Sequence, residues 1–238
     1  MWNTFLYAVI PYLAVGIAVV GGIARYRFDR FSYSSQSSQF LESRALFFGS
    51  VAWHYGILLV LGAHVVALVF WDQWATVVSE PTRLYSLEVA GLALSLLAFF
   101  GLALLIGRRL TSARVRAVTT RMDWVLLTFL IVQVGLGIWV ALGYRWGSDW
   151  YVHTVVPWLI SLFKLNPKTE YVAVLPAVVK AHAVVGFGLV ALFPFTRLVH
   201  VVTVPLTYLY RPYQVFVWNR RAARSRASFA ERSRIPSG

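Results

Sequence analysis

Apolar residues run along this chain in long blocks rather than in the alternating or one-sided patterns of soluble strands and helices. Five blocks stand out, at about 5–24, 47–70, 87–107, 123–143 and 173–204. Each comes close to the ~20 residues that span ~30 Å of hydrocarbon at 1.5 Å per residue. The pattern predicts an all-α integral membrane protein with five transmembrane helices. No Lys or Arg precedes the first block and no small-residue cleavage pattern follows it, so it reads as a retained helix rather than a signal peptide. Between the fourth and fifth blocks, a loop of about 144–172 contains Trp158–Phe163, which reads as a short interfacial helix. No inverted repeat and no matching pair of broken helices is visible, which lowers a transporter reading.

Charge is scarce and one-sided. Of 238 residues 59% are apolar and 13% charged, yet Lys and Arg number 22 against 9 Asp and Glu, a formal charge of +13. A mean hydropathy of +0.67 leaves too little polar sequence to cover a soluble globule, which argues against a nucleic-acid-binding domain and a nucleic-acid partner. With no cysteine, the chain has no disulfide, thiolate iron–sulfur cluster, Cys-based zinc site or c-type haem attachment.

Because Lys and Arg in short loops are retained on the cytoplasmic side, their distribution predicts orientation. Seventeen fall after the first block, after the third or in the C-terminal part, and five (Arg83, Arg145, Lys164, Lys168, Lys180) on the other side. The N-terminus is therefore expected outside and the C-terminus in the cytoplasm. Asp29, Glu42, Asp123 and Glu231 fall on the inner side, which carries the whole +13, while the outer side nets zero. Six of the ten tryptophans (Trp2, Trp71, Trp74, Trp146, Trp150, Trp158) fall outside, as an interfacial belt would place them. Two regions are expected: a membrane domain over 1–210 and an Arg-rich cytoplasmic tail over 211–238, suited to anionic lipid.

Four of the five histidines lie in two blocks, His54 and His64 in the second and His182 and His200 in the fifth. Ionisable residues inside the bilayer are rare and mark function. A lone imidazole there is most often a hydrogen-bonded helix contact, but four in two pairs are less simply explained. Ten residues separate the first pair, about 15 Å along a helix, and eighteen the second, about 27 Å and five whole turns. With the two helices antiparallel, His54 meets His200 toward the cytoplasm and His64 meets His182 toward the outside. Facing imidazoles suit the two axial positions of a haem iron, whereas zinc wants four ligands close together. The unequal spans require tilt or a kink at Pro194. Gly56, Gly62, Gly186 and Gly188 are candidates for close approach of a flat macrocycle, or for helix packing. Gly186-Phe187-Gly188-Leu189-Val190-Ala191 satisfies G-x-G-x-x-A but lacks the preceding strand, so it is not a dinucleotide site. His153, in the outer loop, reads as a solvated surface residue.

At these residues the chain resembles the cytochrome b (gamma) subunit of respiratory membrane-bound nitrate reductase, over most of 1–218. The resemblance rests on Pro11-Tyr12, Arg25-Tyr26, Ser37-Ser38-Gln39, His54 with His64, Arg108-Arg109-Leu110 followed by Arg114-Val115-Arg116-Ala117, and Leu192-Phe193-Pro194-Phe195-Thr196-Arg197-Leu198-Val199-His200 with Pro205 behind it. It implies five helices in a prokaryotic cytoplasmic membrane and two b-type haems, held by His64 and His182 on the outer side and His54 and His200 on the inner. It also implies oxidation of membrane quinol near the outer haem and His64, and partners on the cytoplasmic side: an iron–sulfur beta subunit and a molybdenum-cofactor alpha subunit. The family has a Lys at the start of helix three where this chain has Arg83, a fixed positive charge that does not readily release a proton. The plain alternative for Arg83 is an anchor that snorkels to water. The outer loop and the tail beyond 218 depart from the family. Two rivals remain: a related membrane cytochrome of a sulfur-metabolising complex, and a membrane anchor or proton-coupled transporter without haem.

Overall fold

A computed structural model describes residues 2–29 and 44–202. Within them lie five helical spans long and apolar enough to cross a membrane: α1 (Trp2–Phe28), α2 (Arg44–Val69), α3 (Pro81–Thr111), α4 (Arg121–Gly143) and a fifth over Ala177–Phe195, whose α-helical part is α5 (Ala177–Leu192). No strand occurs among the described residues. The Ser37-Ser38-Gln39 motif, Pro205 and the Arg-rich stretch 211–238 lie outside them.

Local chemistry sets the helix starts. Pro81 occupies the first turn of α3, where a missing N–H costs nothing, and the Glu80 carboxylate accepts from the N–H groups of Thr82 and Arg83 at 3.0 and 2.8 Å. Those backbone donors hold the Glu80 carboxyl below its usual range. Helix α4 opens on a capping box: Asp123 N–H donates to Thr120 Oγ1, and Thr120 N–H donates to the Asp123 carboxylate.

Two prolines interrupt the spans. Pro11 cannot donate to the carbonyl of Tyr7 four residues back, and the backbone widens to a π-helical turn over Phe5–Val9. The Tyr7 carbonyl instead accepts from the Trp158 indole at 2.8 Å, while Tyr12 Oη–H donates to the Leu162 carbonyl at 2.9 Å. These bonds dock the short helix Val156–Phe163 onto α1. That helix coincides with the interfacial segment expected from sequence, but its Trp158 is 1% exposed, packed edge-on against Tyr7 and Phe187. Trp158 therefore leaves the expected aromatic belt, whereas Trp2, Trp71 and Trp146 are exposed.

The second break corrects the sequence reading of the fifth helix. The expected continuous span over 173–204 ends at Leu192. A 3-10 turn follows over Phe193–Phe195, Thr196 is extended, and a second 3-10 turn covers Arg197–Val201. Pro194 explains this, since it lacks the N–H and its ring clashes with the preceding turn. His182 and His200 thus do not share one helix face by whole turns.

Helix packing follows the order α2 on α3, α3 on α4, α4 on α5 and α5 on α1. Closest is α2 on α3, because glycines let the backbones meet. A Cβ on Gly101 would lie 2.3 Å from Trp53 N, and one on Gly56 would lie 2.6 Å from Ala98 N. Gly186 and Gly188 face Gln133 and Phe129 of α4. Three of the four glycines suggested for a macrocycle therefore serve helix packing, and Gly62 alone of the four has open space beside it.

Candidate functional site

The histidine-bearing elements α2 and α5 are not neighbours in that packing order, and their imidazoles meet across the bundle. The His54 and His200 ring centroids lie 6.0 Å apart with planes at 73°. His64, on the C-terminal half of α2, lies within electrostatic range of His182 on the N-terminal half of α5. The two elements are accordingly antiparallel, with one imidazole pair toward each end.

Each imidazole is held by the same kind of bond. Nδ1 of His54 lies 2.7 Å from the Ser50 carbonyl, that of His64 2.8 Å from Val60, that of His182 3.1 Å from Gln133, and that of His200 2.5 Å from Arg197. A carbonyl only accepts, so in every case the bond calls for a proton on Nδ1, and in the neutral ring Nε2 then carries the lone pair. This is the tautomer of a neutral imidazole ready to ligate a metal through Nε2, with its orientation and basicity set by the second bond. At His182 the lone pair is already in use, since the Gln133 amide donates to Nε2 at 3.3 Å.

The donor set fits a haem iron. Two axial bonds of about 2.0–2.1 Å, plus the half-widths of two rings, put imidazole centroids about 6 Å apart. The His54–His200 separation meets that requirement. Among the described residues no three His, Asp or Glu converge as a protein-only metal cage needs. Around His182 the backbone is close, a Cβ on Gly137 falling 3.2 Å from the ring, and the Gln133 Oε1 atom is buried without a hydrogen-bond partner.

Beyond the imidazole pairs, the two ends differ. At the end formed by the C-terminus of α2 and the N-terminus of α3, Tyr151 stacks edge-on against His64 with centroids 5.4 Å apart, and its hydroxyl donates to the His64 carbonyl at 3.3 Å. Burial pushes the Tyr151 phenol up to about 12. Arg83 lies on the first turn of α3 at this same end, largely exposed, its Nε 3.8 Å from Glu80 Oε2. The contacts described for Arg83 are to Glu80 rather than to His64. His153 is exposed and faces Asp149 at 3.6 Å.

At the other end, buried Asp123 accepts from Arg197 Nε at 2.6 Å and Nη2 at 3.1 Å, and Arg25 of α1 donates to the carbonyls of Pro194 at 2.5 Å and Thr196 at 3.4 Å. Sequence reasoning counted Asp123 only as a topology charge, and Arg25 and Arg197 as topology charges and parts of the family motifs. It passed over Gln133, although a lone amide in an apolar block is a visible signal. Tyr151 gave no signal, because only the fold brings the loop onto α2.

Comparison with known proteins points one way. The family described as nitrate reductase gamma subunit matches residues 3–219. The chain is 32% identical to the nitrate reductase gamma chain of Bacillus subtilis over 221 residues, covering 91% of this chain and 98% of that one. It is 30% identical to the respiratory nitrate reductase 1 gamma chain of Escherichia coli, covering 90% and 96%. It is 35% identical to the nitrate reductase-like protein NarX of Mycobacterium tuberculosis over 222 residues, 91% of this chain, and spans about a third (34%) of that longer protein.

Proposed function

The chain belongs to the nitrate reductase gamma subunit family, the membrane cytochrome b component of an oxidoreductase complex, and from that premise we propose that it oxidises membrane quinol and passes the electrons inward. His54 and His200 would hold an inner b haem, and His64 and His182 an outer one. When bound, the haems would supply one-electron redox chemistry at two depths of the bilayer. Each imidazole would offer Nε2 while its Nδ1–H stays on a backbone carbonyl that fixes its orientation.

Quinol docks at the end of the bundle that carries His64 and Arg83. It gives up two electrons and two protons there and leaves as quinone. Arg83 contributes a fixed positive charge that steadies developing negative charge on the quinol oxygen, but its guanidinium does not take the proton. The protons leave on the outer side and the electrons on the cytoplasmic side. There an iron–sulfur beta subunit receives them for a molybdenum-cofactor alpha subunit, which reduces nitrate. This chain holds no nitrate-reducing site. The N-terminus lies outside and the C-terminus in the cytoplasm, the basic face seating anionic lipid and the partner. The setting is a prokaryotic cytoplasmic membrane.

The observation that carries this reading is that Nδ1 of all four histidines lies on a backbone carbonyl, together with the 6.0 Å spacing of His54 and His200. The test is the reduced-minus-oxidised absorbance spectrum of the purified chain and its alanine variants. Two b-type components are expected, with His54→Ala and His200→Ala removing one and His64→Ala and His182→Ala the other. A wild type without b-type bands, or His54→Ala and His64→Ala removing the same component, would sink the assignment.

A further inference from the structure

Asp123 is a buried carboxylate that the electron path does not use. At 5% exposure it sits in the first turn of α4, held by Thr120 N–H and gripped fork on fork by Arg197. Arg109 of α3 is within electrostatic range of it as well. Arg197 in turn opens the 3-10 turn Arg197–Val201, and its backbone carbonyl receives the Nδ1–H of His200. After the break at Pro194 this turn has no continuous helical ladder to hold it. Side chains from two other helices do so instead: Arg25 of α1 bonds its leading carbonyls, and Asp123 of α4 fixes its first side chain.

We propose that Asp123 is a positioning residue for the inner haem: its ion pair with Arg197 fixes the turn whose carbonyl orients His200, and its negative charge offsets Arg197 and Arg109. The proposal rests on the two-haem reading above. Removing the negative charge makes the surroundings of the site more positive by one, which favours the electron-bearing state. Slack in the turn also loosens the Nδ1–H bond and weakens electron donation by His200, which acts in the same direction. Both effects raise the midpoint potential of the inner haem alone.

The experiment is a redox titration of the full chain in detergent, followed by b-band absorbance, with the outer haem as internal reference. Two steps are expected in the wild type, and the inner one is identified as the step missing in His200→Ala. Asp123→Asn keeps an acceptor for the Thr120 cap but loses the charge. It is expected to shift the inner step upward by at least tenfold in the reduced-to-oxidised ratio, about 59 mV for one electron, and to leave the outer step in place. The double variant Asp123→Asn, Arg197→Gln restores the charge balance but leaves the turn unpinned, so its inner step is expected between the wild-type and Asp123→Asn values. It also serves where the single variant fails to accumulate, since an inner step raised with the outer one in place supports the proposal and one at the wild-type value overturns it. An inner step unmoved in Asp123→Asn, or both steps moved or lost together, overturns it too. A wild type lacking two steps would refute the two-haem reading instead.

Discussion

Replacing Gly101 by alanine tests whether the α2–α3 contact sets the position of His54. The added Cβ would fall 2.3 Å from Trp53 N, 2.7 Å from the Gly49 carbonyl oxygen and 2.8 Å from Trp53 Cα. All three are backbone atoms, so no rotamer change relieves the clash. Ordinary contact needs about 3.5 Å, so the helices must separate locally by about 1 Å. Overpacking of this kind costs about 1–3 kcal/mol, and the helix-propensity gain of alanine over glycine returns about 1, leaving a net loss of about 1 kcal/mol. Trp53 immediately precedes His54, so the shift carries His54 with it. A change of about 1 Å exceeds the ~0.2 Å tolerance of metal–ligand bonds, so under the proposed ligation the His54–His200 pair would no longer make both. Gly91 supplies the control, being on the same helix with nothing within 4 Å of an added Cβ. The assay is thermal unfolding in detergent together with haem content per protein. Gly101→Ala is expected to melt earlier and to lose the inner haem before the outer, while Gly91→Ala melts at or above the wild type. Equal behaviour of the two variants would refute the reasoning.

Trp158→Phe keeps the ring but removes the donor to the Tyr7 carbonyl, which Pro11 has already deprived of its helical partner. The loss is expected to be about 1–3 kcal/mol, read by thermal unfolding, and an unchanged melting point would count against that account. His153→Ala is expected to change stability by less than about 0.5 kcal/mol and to leave both haems in place, because its contact with Asp149 is exposed. Tyr151 titrates near 12 because burial favours the neutral phenol. Its contribution is therefore complete below about pH 10, the unfolded value, and is lost as pH rises through about 12. The phenolate absorbance difference between wild type and Tyr151→Phe checks this, and a titration at the ordinary value would contradict the burial.

Five spans were legible because the bilayer demands about 20 apolar residues from each, and the chain supplies them in separate blocks. The histidines stood out because ionisable groups within such blocks are rare. What block length could not show was where the ladder fails. Pro194 was visible as a kink, but whether the helix resumes afterwards depends on Arg25, Asp123 and Arg197, which come from three distant parts of the sequence. Asp123 read as a loop charge because a capping residue and an ion-pair partner look alike until the fold brings Arg197 to it. Which of the glycines pack helix on helix was hidden for the same reason, since a small residue does not announce what approaches it.

The two proline breaks obey one constraint. Inside a bilayer each backbone polar group must find a partner within the protein, so irregular backbone survives only where side chains supply the missing bonds. At Pro11 the freed Tyr7 carbonyl receives Trp158; after Pro194 the carbonyls of Pro194, Thr196 and Arg197 receive Arg25 and His200. The histidines on regular α2 reach the carbonyl four residues back, His54 to Ser50 and His64 to Val60. His200 reaches the carbonyl three residues back, as the tighter 3-10 turn dictates, and His182 reaches across to α4. Three backbone geometries thus give all four rings the same kind of partner, a backbone carbonyl at Nδ1. The break at Pro194 follows from that logic: it shortens and redirects the end of the fifth span, so that His200 meets His54 although eighteen residues separate it from His182 and only ten separate His54 from His64.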